Sequence, residues 1–138
     1  MGKYLTVDKS LVYDKLKSIV GPKNVTDKGI ILEAYMGTVT ITMSVGAVMG
    51  GKMESQRREA VEVKRPGFIV RAGSTEEIQE IVRLANQNKI PIIPIGALTS
   101  TYYETVPSEG CIMLDMSRMK NIEIDEDIMT VTLEPGVN

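Results

Sequence analysis

Between Arg65 and Ser100 the order of hydrophobic and polar positions changes period twice, in the run RPGFIVRAGSTEEIQEIVRLANQNKIPIIPIGALTS. Residues 68–72 are a short apolar run that predicts a strand. Ser74 stands three positions before Glu77 as a capping box, and Ile78, Ile81, Val82 and Ala85 then recur at i, i+3, i+4 and i+7, which predicts a helix over 74–88 with one buried stripe. After a turn at Ile90-Pro91 the continuous apolar run 92–95 has the form of a strand covered on both faces, and Gly96 ends it. The whole reads as a βαβ unit whose two strands are expected to lie parallel and adjacent.

The flanks supply weaker patterns. Thr6 or Asp8 can cap a helix running to about Val20, with Val12, Leu16, Ile19 and Val20 on one face and Gly21-Pro22 as its stop. A second, shorter helical pattern in 24–35 would follow an Asp27 cap and turn Ile30, Ile31, Ala34 and Tyr35 inward. In 36–62, Val39, Ile41, Met43 and Val45 alternate with Thr and Ser as in a strand, while Gly46, Gly50 and Gly51 favour a loop. Residues 111–115 read as another buried strand, 117–120 as a turn. Ile122 and Ile124 then alternate with Glu123 and Asp125, Glu126-Asp127 make a turn, and 129–133 return as the second arm of a hairpin. The expected fold class is α+β: N-terminal helices, a βαβ unit with a small, partly parallel sheet, and a C-terminal β-hairpin.

Composition narrows the chemistry. The chain of 138 residues has no histidine, which removes the commonest general base, the commonest metal ligand and any Ser-His or Cys-His pair. A single cysteine, Cys111, forms no internal disulfide and sits in an apolar run as a buried thiol. The methionines at 36, 43, 49 and 53 are read as adaptable packing, because no Cys or His joins them as soft-metal ligands. Asp125-Glu126-Asp127 lacks the Gly and terminal Glu of a calcium loop and is read as a turn. A net charge of −2 gives no basic face for nucleic acid. With no apolar run of membrane-span length and no signal-peptide pattern at the N-terminus, a cytoplasmic protein is expected.

The candidate ligand site is the loop that leaves the second strand of the βαβ unit, Pro94-Ile95-Gly96-Ala97-Leu98-Thr99-Ser100. Loops at the carboxyl ends of parallel strands are where α/β units place ligands, since the last N–H groups leave the ladder and face a crevice. No Lys or Arg lies between Pro94 and Gly110, and neither GK[ST] nor GxGxxG is present. A phosphate bound there would rest on backbone N–H groups and the Thr99 and Ser100 hydroxyls.

The pieces RPGFIVRAGSTEEIQEIVRLANQNKIPIIPIG, TS, VPSEGCIMLDMSRMKNIEID and VTLEPGV, in this order and spacing, resemble the N-terminal part of the FAD-binding domain of FAD-linked oxidases. That is the superfamily of vanillyl-alcohol oxidase and p-cresol methylhydroxylase, and the likeness is to its glycolate and D-lactate dehydrogenase type. The resemblance implies a type-2-like FAD-binding fold, incomplete here, divided into an N-terminal helical segment with an insert (1–64) and the first part of the FAD domain (65–138). It implies FAD as cofactor, with Pro94 to Ser100 wrapping the pyrophosphate by backbone amides. The substrate, a small 2-hydroxy acid or alcohol, would be held mainly by a separate C-terminal domain. Where the family usually has three glycines before Thr-Ser, this chain has Gly96-Ala97-Leu98, and an Ala or Leu held in the left-handed region costs about 1–2 kcal/mol. The parent protein is then an FAD-dependent oxidoreductase, with this chain inactive alone, exposing an apolar patch near the 129–133 hairpin edge and self-associating. The alternative is a non-catalytic α+β module for binding or oligomerisation that has lost FAD.

Overall fold

The computed structural model describes residues 8–37, 64–97 and 105–138. The stretch 38–62, read above as alternating strand and loop, lies outside them. Asp8 caps the first helix, α1 (Lys9–Val20), by accepting from the Ser10 N–H at 2.9 Å, while the Thr6 alternative lies outside the described residues. Gly21 ends it at φ 82°, a conformation in which glycine carries no side-chain penalty, and its N–H returns to the Lys17 carbonyl. A two-residue strand, β1 (Val25–Thr26), follows, and then a helix over 29–37, α2. The Thr26 hydroxyl, not Asp27, takes the Lys28 N–H at the entry to α2.

The remaining strands are β2 (Phe68–Arg71), β3 (Ile92–Ile95) and β4 (Ile112–Asp115), with α3 (Thr75–Asn88) between β2 and β3. The capping box on α3 is present in a shifted form. Ser74 accepts from the Glu77 N–H at 3.2 Å, but the Glu77 carboxylate reaches back to the Gly73 N–H, at 2.7 Å, one residue earlier than the cap itself. Lys89 closes the helix in the left-handed region at φ 54°.

Sheet order is β1-β2-β4-β3, with β1 antiparallel to β2 and the other three mutually parallel. The expectation that β2 and β3 would be neighbours is therefore corrected: they are parallel, but β4 lies between them, in register with both. The reason is burial. Strand β4 is buried at every position, including Asp115, whereas β3 is only partly buried and carries the exposed Pro94. Proline donates no ladder hydrogen bond and suits an edge, so the apolar run 92–95, read as covered on both faces, is an edge strand among the described residues.

Side chains alternate across the sheet. On one face Phe68, Val70, Ile112 and Leu114 meet Val12, Leu16 and Val20 of α1 and Ile81, Leu84 and Ala85 of α3. On the other, Ile69, Met113 and Ile95 meet Leu32 of α2, with Tyr35 and Val106 packed alongside. Two stripes differ from their expected phase. On α3 Leu84 is buried and Val82 is 37% exposed, because α3 also packs against α1 and its buried arc is turned toward that helix. On α2 Leu32 and Tyr35, one turn apart, face the sheet while Ile30 is 78% exposed. Cys111 is fully buried, and burial pushes its thiol pKa up.

The hairpin of β5 (Ile122–Asp125) and β6 (Thr130–Leu133) forms its own two-stranded sheet. The Asp125 carboxylate accepts from the Asp127 and Ile128 N–H groups, which is the turn expected of the acidic cluster. Ile122 pairs with Leu133 and Ile124 with Val131, so four aliphatic side chains share one face, and each is more than half exposed. This is the apolar patch expected near 129–133. Met129 belongs to the turn, at φ 56°, rather than to the strand.

The hairpin is tied back to the sheet through Gly136, whose N–H donates to the Met119 carbonyl at 2.8 Å. A Cβ there would collide with the Met116 and Met119 carbonyl oxygens. Gly136→Ala is expected to cost about 1–3 kcal/mol, measured by urea denaturation; a loss below about 0.5 kcal/mol would contradict this packing.

A second prediction concerns Tyr35, whose hydroxyl donates to Asp115 Oδ2 at 2.6 Å and joins α2 to the end of β4. Burial first, then the hydrogen bond to Asp115 and its charge, raise the phenol pKa far above its ordinary value. Since the folded value lies above the unfolded one, the neutral phenol's contribution is fully present below about pH 10 and is lost as pH rises beyond it. Tyr35→Phe is expected to lower stability at pH 7 by about 1 kcal/mol and to flatten the alkaline fall. Denaturation series run at successive pH values should show the two curves converging above about pH 10; a constant gap would contradict the assignment.

Candidate functional site

Three parallel strands end side by side at Arg71, Ile95 and Asp115, and these carboxyl ends differ in what remains free. At the end of β2 the Ala72 N–H donates to the Asp115 carbonyl at 2.9 Å and the Gly73 N–H to Glu77. At the end of β4 the Met116 N–H donates to the Ile95 carbonyl at 3.0 Å and the Ser117 N–H to Asp115 Oδ1 at 2.8 Å. Beyond β3 the Gly96 and Ala97 N–H groups have no hydrogen-bond partner among the described residues. Among the described residues, the donors without a partner at these strand ends are thus those beyond β3.

The closed ends are held by a clasp. Arg118 Nη1 donates to the Arg71 carbonyl at 2.8 Å and to Glu77 Oε2 at 3.2 Å, joining the exits of β4, β2 and the first turn of α3. A Cβ at residue 73 would stand 2.6 Å from that guanidinium, so a larger residue there would displace the Arg118 side chain from this position. Asp115 completes the frame. Although nearly buried, it has a donor on each oxygen, Tyr35 on one and the Ser117 N–H on the other, with Arg71 Nε at 3.9 Å. The sequence pointed to neither Arg118 nor Asp115 in these roles; a charged residue ending a wholly apolar strand, Asp115 after Cys-Ile-Met-Leu, was the one available signal.

Of the sequence-predicted site residues, Pro94 is exposed on the edge strand, Ile95 is buried beneath the crevice, Gly96 is half-buried and Ala97 exposed. Leu98, Thr99 and Ser100 lie outside the described residues. A Cβ built on Gly96 would stand 3.6 Å from the Pro135 carbonyl oxygen, an ordinary van der Waals contact, so a methyl group fits there. Neither Gly96 nor Ala97 has positive φ. The left-handed strain anticipated for an alanine at 97 is therefore absent.

Two N–H groups beyond a parallel strand, without a partner among the described residues, are the elements of a phosphate cradle. The residues present fit a dinucleotide pyrophosphate at this position.

Comparison with known proteins bears on which one. The family model for the FAD binding domain matches residues 66–138. Over 137 residues, 99% of this chain and 21% of the relative, the sequence is 31% identical to the mitochondrial D-lactate dehydrogenase [cytochrome] of Arabidopsis thaliana. It is 36% identical over 73 residues to the glycolate oxidase subunit GlcD of Bacillus subtilis, covering 52% of this chain and 16% of that one. Among solved structures, p-cresol methylhydroxylase with substrate bound superposes with a TM-score of 0.66 at 25% identity, covering 93% of this chain and 22% of that one. The 4-ethylphenol oxidase of Gulosibacter chungangensis shares the fold at a TM-score of 0.72 and 21% identity, covering 99% of this chain and 24% of that one. The chain thus spans about a fifth of the length of relatives such as the Arabidopsis enzyme. With the strand order, the free donors beyond β3 and the match over 66–138 in agreement, the chain belongs to the FAD-binding domain family of the vanillyl-alcohol oxidase and p-cresol methylhydroxylase kind.

Proposed function

We propose that this chain supplies the FAD pyrophosphate cradle of a flavin-dependent dehydrogenase acting on a small 2-hydroxy acid or alcohol. The observation that carries the reading is the contrast between strand ends: donors beyond β2 and β4 are spent within the chain, and those of Gly96 and Ala97 have no partner among the described residues. In this reading Pro94 to Ser100 form the cradle. Gly96 lets the phosphates approach the backbone, and the Thr99 and Ser100 hydroxyls add donors. FAD, when bound, supplies the redox chemistry. The chain itself binds, orients and excludes water, and has no turnover alone. The D-lactate dehydrogenase of Arabidopsis and the glycolate oxidase subunit of Bacillus support a 2-hydroxy acid as the substrate class, held outside this chain by a C-terminal domain. A cytoplasmic protein is part of the same reading; no helix among the described residues is long and apolar enough to cross a membrane.

A second reading has its own observation. The aliphatic face of Ile122, Ile124, Val131 and Leu133 favours a module whose work is association, with FAD binding lost.

A flavin-fluorescence titration of the full-length protein separates the two, this chain alone being expected to bind FAD weakly or not at all. Gly96→Ala is expected to leave stability unchanged within about 0.5 kcal/mol, since the added Cβ has room. It should weaken FAD by about tenfold or more by keeping the phosphates off the backbone, and Gly96→Val should abolish binding. Ala97→Gly with Leu98→Gly should strengthen it. Equal affinity in wild type and all three variants would leave the association reading as the better one.

A further inference from the structure

On the α2 side of the sheet, at the carboxyl ends of β2 and β4, a cavity of about 390 Å³ opens between helix and strands. Its position follows from topology. The chain leaves β2 across one face through α3, which packs with α1, whereas the connection from β3 to β4 brings Val106 and Cys111 into the core of the opposite face. Where connections diverge in this way a crevice is left at the strand ends. The cavity lies over β2 and β4, one strand away from Gly96, which follows β3.

Its walls are of two kinds. Val25, Ile31 and Ile69 give an apolar side, while Lys23, Arg71 and the Tyr35–Asp115 pair give a polar one. Asp115 is already satisfied, with Tyr35 on Oδ2 and the Ser117 N–H on Oδ1. Arg71 reaches it only through Nε, at 3.9 Å, and the terminal guanidinium nitrogens have no partner among the described residues. The Lys23 ammonium has none either. Two cations against one carboxylate leave the cavity with a single positive charge in excess. A planar monoanion suits this better than a dianion: a carboxylate can accept the fork of Arg71 and the point charge of Lys23 while leaving no second charge unpaired. The apolar wall then calls for a hydrocarbon body behind the carboxylate.

We propose that this cavity is a binding site for a small organic monocarboxylate with an aliphatic or aromatic body. Arg71 and Lys23 hold its head and Val25, Ile31 and Ile69 cover its tail. The Tyr35–Asp115 bond acts as a positioning contact, fixing α2 over the strands and keeping Asp115 from drawing both cations to itself. The proposal does not depend on the flavin reading, since none of the free donors beyond β3 takes part in it.

Calorimetric titration of the 138-residue chain with 3-phenylpropionate, its neutral counterpart 3-phenylpropan-1-ol and phenyl phosphate tests it. The carboxylate is expected to bind about tenfold or more tightly than the alcohol, and at least as tightly as the phosphate. Arg71→Gln and Lys23→Gln should each weaken the carboxylate by about fivefold or more while leaving the alcohol unchanged. The Arg71 side-chain Nε–H resonance should shift on addition of the carboxylate. Lys23 is exposed and has no partner among the described residues, so its variant reads the charge without risk to the fold. Equal binding of acid and alcohol, insensitivity to both variants, or a phosphate that binds tenfold tighter than the carboxylate would overturn the proposal. So would complete loss of carboxylate binding in saturating FAD, which would place the cavity inside the flavin site.

Discussion

Strand β4 has to be covered on both faces and paired on both edges, and most of the architecture follows from that constraint. Four consecutive buried positions, Ile112 to Asp115, leave no exposed face for an edge strand to show. The chain can meet this only by sending β4 back between β2 and β3 and by placing helices on opposite sides, α1 and α3 over one set of side chains and α2 over the other. The cost appears at the last residue of the strand, where the pairing carries a carboxylate into the interior. Asp115 is tolerated because each of its oxygens receives a donor, a phenol from α2 and a backbone N–H from its own turn. A buried polar group stripped of either donor would be left unsatisfied at the junction of three strands.

The same arrangement accounts for the distribution of free donors. The turn after β4 spends its N–H groups on Asp115 and on β3, and Arg118 and Glu77 occupy the exit of β2. Among the described residues the edge strand β3 receives no such closure. In a chain without histidine and with no cation from Pro94 to Gly110, backbone dipoles and the Thr99 and Ser100 hydroxyls are what this loop can offer an anion.

Much of this was legible in the sequence, for identifiable reasons. The caps at Asp8 and Ser74, the stop at Gly21, the hairpin and the buried run ending at Asp115 are local signals, set by residues within a turn or two of each other. Strand adjacency was not legible, because it depends on which of two apolar runs, 92–95 or 111–115, can better tolerate an exposed edge; Pro94 is the clue that favoured the first for the edge. The phase of α2 was misread since two isoleucines at 30 and 31 outweighed Leu32 on hydrophobicity, while the helix turns its buried arc by where it meets Ile69 and Asp115. The clasp of Arg118, Glu77 and Gly73 spans more than forty positions, 73 to 118, and no short-range pattern announces it. At the candidate loop the sequence located the strand end correctly, but the left-handed backbone it anticipated is absent at Gly96 and Ala97.

The most direct test of the central claim, that the exit of β3 is the anion cradle while the exits of β2 and β4 are closed, is a backbone amide map of the ¹⁵N-labelled chain with and without pyrophosphate. The account predicts that shifts concentrate at Gly96 and Ala97 and continue into the residues that follow them, with Ala72, Gly73, Met116 and Ser117 unmoved because their N–H groups are already donated. Shifts of equal size at those four amides, or none at Gly96 and Ala97 under saturating ligand, would contradict it.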